Sequence, residues 1–501
     1  FRSWFSLLDP VASVMVPALA ESLVMTEPQP PVFREVTLAL TERRRVPETV
    51  AAFQAILDHL DGQPEPPLAE VEARDRIAKR RSAAAAGLAE LGALDRVWPL
   101  LRHDEDPRLR AFVIDRFARF AVNPRGLLDR LNTAEVDPVE LQGVLMTLAE
   151  MRESRPERLS PTTLEEIATS AAALLRDHDD SGVHSAAELV LRRIGRGDLI
   201  FSATSAAGVT DAPLGRSRWY LGHNGHTFAV VRLEGGWRGT YPHEDGYDPV
   251  EARQYVQIGR TVAVSTREVT RGQIQRLRLG AEHDDSAGNT DDHPANTVTW
   301  YEAARYCNRL SDLAGLPRCY PEPIGPNMVL DADAVKAGGY RLPTEAEWEL
   351  LCRAGTLTAR PFGDSDVLQG RYACGWINSS DKTLPVGRLL PNELGLFDML
   401  GNLWEWCHDA DMVPDFSQSN RHVSPYPAGT PEAPAVERLV TETIEPLGIE
   451  GAPSVDTVRV TRGGAYDYAN SQARSGKRSD GKPGDALNYD GFRVVRTIMS
   501  N

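Results

Sequence analysis

The chain has 501 residues, 42% of them hydrophobic and 25% charged, a globular composition long enough for about three domains. Acidic residues outnumber basic ones 71 to 55, and the net charge of −16 opposes the phosphate neutralisation on which nucleic-acid affinity rests, so no nucleic-acid partner is expected. Five cysteines (Cys307, Cys319, Cys352, Cys374, Cys407) in so long a chain argue against a disulfide scaffold and fit a reducing, cytoplasmic setting.

Phe1 to Leu23 is apolar, but Asp9 and Pro10 interrupt it, and no run reaches the roughly 18 apolar residues of a membrane span. A packed helical segment is predicted there, with no membrane partner. Opening on Phe1 rather than Met fits a fragment or a processed product of something longer. From residue 1 to about 198, apolar residues recur with the spacing of amphipathic helices, as in Leu88, Leu91 and Leu94. Three helix entries look alike: Asp104-Glu-Asp-Pro107, Glu135-Val-Asp-Pro138 and Asp179-Asp-Ser-Gly182 each place an acidic cap before a helix, and Pro suits the first turn in two of them. Their spacing of about 31 and 43 residues predicts a HEAT-like repeat domain over 1–198, with an irregular helical bundle as the alternative.

Residues 199–218 shift to Gly, Ser, Thr and Asp and read as a linker. Beyond them, 219–501 reads as a second domain of short strands among loops, so the chain as a whole is predicted to be α+β. Two helices stand out within it. Thr299 with Glu302 and Thr344 with Glu347 form capping boxes, and capping is the preferred role of Glu345 and Glu347 over catalysis. Cys307 and Cys352 fall on the apolar sides of these helices. Between 411 and 454 an acidic, Pro-rich stretch without period predicts an insertion loop.

Glu268-Val-Thr270, Val298-Thr-Trp-Tyr-Glu-Ala-Ala304, Tyr340-Arg-Leu-Pro-Thr-Glu-Ala-Glu-Trp-Glu349, Asn392-Glu-Leu-Gly-Leu-Phe397, Gly401-Asn-Leu-Trp-Glu-Trp406, Arg462-Gly-Gly464 and Gly491-Phe-Arg493 follow one another over about 230 residues. Together they resemble the formylglycine-generating enzyme family. The resemblance implies a variant of the C-type lectin fold, and the helical region looks like the HEAT-like segment that multidomain bacterial proteins place before such a domain. Members that make formylglycine hold copper on a cysteine pair shortly after the Arg-Gly-Gly string. Here Arg462 to Arg493 contains no cysteine, and soft thiolates are what copper(I) selects. The iron-dependent branch resembles a different plan, with His-x-x-x-His-x-Glu in the helical part, and none of the eleven histidines has that spacing. Neither copper nor iron is therefore expected. The resemblance implies a calcium site at Asn402 and Glu405, with Asn378 and Asp381 as a second set. Hard oxygen donors suit that ion, and hydrogen bonding to a tight turn is the alternative for the first set. Trp300, Trp348, Trp404 and Trp406 are expected in the core.

Asp467 to Asp490 mixes Asp, Tyr, Asn, Ser, Lys and Gly without apolar period, the chemistry of adaptable binding loops. It also resembles the variable region of proteins diversified by retroelements, which implies Asp467, Tyr468, Ser471, Lys477, Ser479, Asp480, Asn488, Tyr489 and Asp490 as ligand-binding positions. The expected function is a non-catalytic sensor or adaptor that binds a protein or a variable ligand there, with the helical arm docking an effector or signalling partner. The alternatives are a metal-dependent oxidase of the formylglycine-generating class and an interaction module of a larger signalling or conflict-system protein.

Overall fold

The computed structural model describes residues 12–25, 46–120, 122–279, 285–288, 290–326, 328, 336–410, 438–441 and 458–499. The described residues divide into two compact units. The first comprises those of Phe1–Asp177, Ala186–Ala203 and Phe362–Leu368, and the second those of His178–Ser185, Thr204–Pro361 and Gln369–Asn501.

Helices build the first unit. They include α1 (Ala12–Met25), α2 (Val46–Asp61), α3 (Val71–Glu90), α4 (Arg108–Phe120), α5 (Pro124–Leu131), α6 (Pro138–Ser154) and α7 (Pro161–Asp177). The acidic entry to α6 works as its residues predict: the Asp137 carboxylate accepts from the N–H groups of Val139 (2.9 Å) and Glu140 (3.0 Å), and Pro138 occupies the first turn. In α4 the buried residues Phe112, Val113, Ile114 and Phe117 face the core, and the helix packs between α3 and α6. Glu140, fully buried, is held by Arg102 at 3.0 Å and by Arg130. Helix α8 (Ser181–Arg193) is followed by α9 (Gly197–Ala207). Part of the segment read as a linker is thus helical: Leu199, Ile200 and the alanines favour a helix, and Asp198 in the first turn suits its dipole. No helix among the described residues is long and apolar enough to cross a membrane.

The second unit is built on two sheets. Strands β1 (Trp219–Leu221), β2 (Thr227–Arg238), β3 (Gln254–Ser265), β10 (Val495–Ile498) and β4 (Tyr340–Arg341) lie side by side in that order. A short strand β6 (Arg438–Thr441) adds in parallel to Gln254–Gln257 of β3. That strand falls inside the stretch expected to be an insertion loop; the rest of 411–454 lies outside the described residues. The second sheet has the order β8 (Arg478–Gly481), β7 (Arg459–Arg462), β5 (Trp404–Ala410), β9 (Asp490–Gly491). The unit's helices include α10 (Arg271–Arg276), α11 (Trp300–Leu313) and α12 (Glu345–Arg353). All three open on capping boxes, from Thr270 with Gln273, Thr299 with Glu302 and Thr344 with Glu347.

Trp300, Trp348, Trp404 and Trp406 are buried, as expected. The indoles of Trp300 and Trp406 donate to the carbonyls of Cys407 and Val298, both at 2.8 Å, which satisfies each ring's one polar atom. Glu347 does more than cap α12. It pairs with Arg341 and Arg260, each at 2.7 Å, and these guanidiniums outweigh burial and hold its carboxyl well below the usual range. Burial raises Glu345, but Arg238, Arg478 and Arg462 overcome it and hold the group down to about 2. Both carboxylates are committed to structure.

Candidate functional site

Four of the sequence strings converge on one buried frame. Gly401 and Asn402 take left-handed φ values of 76° and 65°. A Cβ on Gly401 would lie 1.8 Å from the Cys374 carbonyl oxygen, so only glycine fits. The turn aims Asn402 inward, where its Nδ2 donates to Glu268 Oε2 (2.6 Å) and its Oδ1 accepts from Leu384 N–H (2.9 Å). Arg493 donates Nε and Nη2 to the two oxygens of Glu405, and Trp348 Nε1 donates to one of them at 2.7 Å. Burial, with the charges of Asp398 and Glu405, pushes the Glu268 carboxyl well above its usual range, and burial lifts Asp398 to about 6.

Asn402 and Glu405, implied as calcium ligands, therefore have other partners. A cation at Glu405 would have to displace both Arg493 and Trp348. Asn378 accepts from Gly375 N–H at 3.0 Å and donates to the carbonyls of Gly370 (3.1 Å) and Ala373 (3.0 Å), which folds the 370–378 loop on itself. Asp381 sits at a left-handed φ of 61° with its N–H on Ser379 Oγ. Among the described residues, no three His, Cys, Asp or Glu side chains gather as a metal site.

A second set of arginines anchors the polar segment from 467 to 490. Arg462 donates to the carbonyls of Ser475 (2.8 Å) and Gly476 (3.0 Å) and pairs with Glu349. Arg474, 1% exposed, reaches Glu251 (3.0 Å), Thr240 Oγ1 (3.0 Å) and the carbonyls of Gly246 and Ser471. Arg474, Ser475, Pro483 and Gly491 are buried, while most of the residues between them reach solvent.

The nine positions expected to bind a ligand do not form one surface. Asp467, Tyr468, Tyr489 and Asp490 come together beside Trp404: Tyr468 meets the Trp404 ring edge-on at 5.5 Å and Tyr489 meets Tyr468 at 6.0 Å. Ser471 and Asn488 are half-buried in the flanking turns. Ser479 and Asp480 lie on β8, opposite Thr461 and Val460, at the other edge of the sheet from β9. Three strand spacings, about 14 Å, separate the two edges. The reason is the β7–β8 hairpin, which carries 478–481 away before the chain returns to pair β9 with β5. Lys477 is engaged by Glu251 at 3.2 Å.

Asp490 is buried rather than displayed, and burial with the Asp485 charge pushes its carboxyl up to about 7. Burial, with Asp381 nearby, also raises Asp467. The structure adds two residues that the sequence reading passed over. Trp376 and Ile377 are 67% and 58% exposed on the loop that Asn378 braces, and Trp376 N–H approaches the Tyr468 carbonyl at 3.4 Å. Their signal was a pair of large apolar residues inside Gly375-Trp-Ile-Asn-Ser-Ser-Asp381, where no period predicts burial.

The family match falls largely in the second unit. The sulfatase-modifying factor enzyme 1-like domain matches residues 227–498. A chaperone protein LppX of Paenibacillus barcinonensis is 30% identical over 162 residues, which are 27% of this chain and 58% of that protein. A formylglycine-generating enzyme of Thermomonospora curvata is 33% identical over 173 residues, 31% of this chain and 49% of the enzyme. The chain thus spans about half the length of these relatives. The solved structure of Treponema denticola variable protein 1 aligns with a TM-score of 0.43 at 22% identity, covering 55% of this chain and 95% of that one.

Proposed function

This chain belongs to the sulfatase-modifying factor enzyme 1-like family, and on that premise we propose that its second unit is a binding module, a sensor or adaptor that captures a partner at the surface of Trp376, Ile377, Tyr468 and Tyr489. The observation that carries this reading is the exposure of Trp376 and Ile377, side by side on a loop held in shape by Asn378. Large apolar residues grouped with tyrosines on a rigid frame are the composition of interface anchors.

The cysteines support a non-catalytic use of the scaffold. All five are buried and outside any disulfide, and burial pushes their thiols up, Cys352 to about 12, so the reactive thiolate is disfavoured at each. Asp467, Tyr468, Ser471, Asn488 and Tyr489 reach solvent around a buried arginine framework, so substitutions there leave the frame intact, as a diversified surface needs. The helical unit is then a HEAT-like arm that docks an effector or signalling partner.

A displayed random-peptide library selected on the full chain tests the reading. Clones are expected whose capture falls more than tenfold on the Trp376→Ala/Ile377→Ala double variant. Equal capture of every clone by both proteins would overturn it.

A further inference from the structure

We propose that this surface takes a cationic side chain, the lysine or arginine of a partner segment that also presents a neighbouring apolar residue. The inference rests on the binding reading and names the chemistry of its ligand.

Three features point to a cation. Tyr468 and Tyr489 stand nearly perpendicular, at 78°, and Tyr468 is perpendicular to Trp404, at 89°. Rings set edge to face leave a corner lined by the electron-rich face of one and the rim of the next, and aromatic faces attract ammonium and guanidinium groups. Asp467 Oδ1 is shielded from solvent and has no hydrogen-bond partner. A carboxylate can only accept, so a donor from outside the chain would complete it. The charges acting on Asp467 and Asp490 are other carboxylates, Asp381 and Asp485 respectively. The carboxylates repel one another until something positive arrives, which also fits the overall charge of −16.

The apolar requirement follows from position. Trp376 lies against the Tyr468 backbone and is the most exposed tryptophan or tyrosine of this group. A segment whose basic side chain enters the Tyr468–Tyr489 corner passes over Trp376 and Ile377, and an apolar neighbour removes those side chains from water.

The same selection tests this when the captured sequences are read. Clones that depend on Trp376 and Ile377 are expected to carry Lys or Arg beside an apolar residue. Replacing that Arg by citrulline, which keeps the shape and drops the charge, should weaken binding at least tenfold. Asp467→Asn and, independently, Asp381→Asn should each weaken the Arg peptide severalfold and leave the citrulline peptide unchanged. Raising salt from about 0.05 to 0.5 M should act on the first peptide and not the second. Trp376-dependent clones with no basic bias, or citrulline binding as well as Arg, would overturn the cationic ligand while leaving the binding surface standing. Absence of any Trp376-dependent clone would overturn both.

Discussion

Arg493 and Glu405 form a two-bonded ion pair, Nε to Oε2 and Nη2 to Oε1 at 2.6 Å each, with neither side chain more than 1% exposed. The pair ties the Gly491-Phe-Arg493 string to the Gly401–Trp406 string. Glu405→Gln keeps the volume and leaves a buried guanidinium without its counter-charge. The expected loss is about 3–5 kcal/mol in urea unfolding. A loss below about 1 kcal/mol would show that the frame is held elsewhere.

Trp404 is the ring against which Tyr468 rests, and it is 3% exposed. Trp404→Ala should lower stability by about 3–5 kcal/mol through lost burial and a residual cavity. Unchanged thermal stability would remove it from the core.

Tyr468 and Tyr489 are different. Both reach solvent, so the double change to Ala should cost about 1–2 kcal/mol, mostly the edge-to-face contact with Trp404, while ligand capture falls by more than tenfold. Capture at the wild-type level would exclude the tyrosines from the site.

Asp490 makes stability depend on pH. Its carboxyl has an ordinary value of 3.8 and is pushed up to about 7 by burial and by Asp485. Between those values the folded chain keeps a proton that the unfolded chain has released, so this group lowers stability as pH rises through the window and adds nothing further beyond it. Asp490→Asn removes the effect. The variant should exceed the wild type by on the order of 3 kcal/mol at about pH 8, with the gap closing below about pH 4. A gap that does not change with pH would place the destabilising group elsewhere.

Much of the architecture was legible because its determinants are local. The Thr299 and Thr344 capping boxes need only residues three apart, and the tryptophans of the Trp-Glu-Trp string are too large and apolar to stay outside. The Arg493 partner of Glu405 was not legible because an acidic residue in a motif looks the same whether a metal or a guanidinium answers it, and that partner lies 88 residues away. The nine polar positions looked like one patch because sequence proximity hides the β7–β8 hairpin, which sends Ser479 and Asp480 to the opposite edge from Asp490. Trp376 and Ile377 were invisible to any periodicity argument. What exposes them is the side chain of Asn378, which takes up backbone groups that a freer loop would leave to water.

That brace has a kinetic consequence. A loop tip already fixed by three hydrogen bonds has little freedom left to lose on contact, so encounter should proceed at the usual protein docking rate of about 10⁵–10⁷ M⁻¹ s⁻¹ without a slow ordering step. Weakening an anchor on the tip would then shorten the lifetime of the complex, and loosening the brace itself would slow its formation.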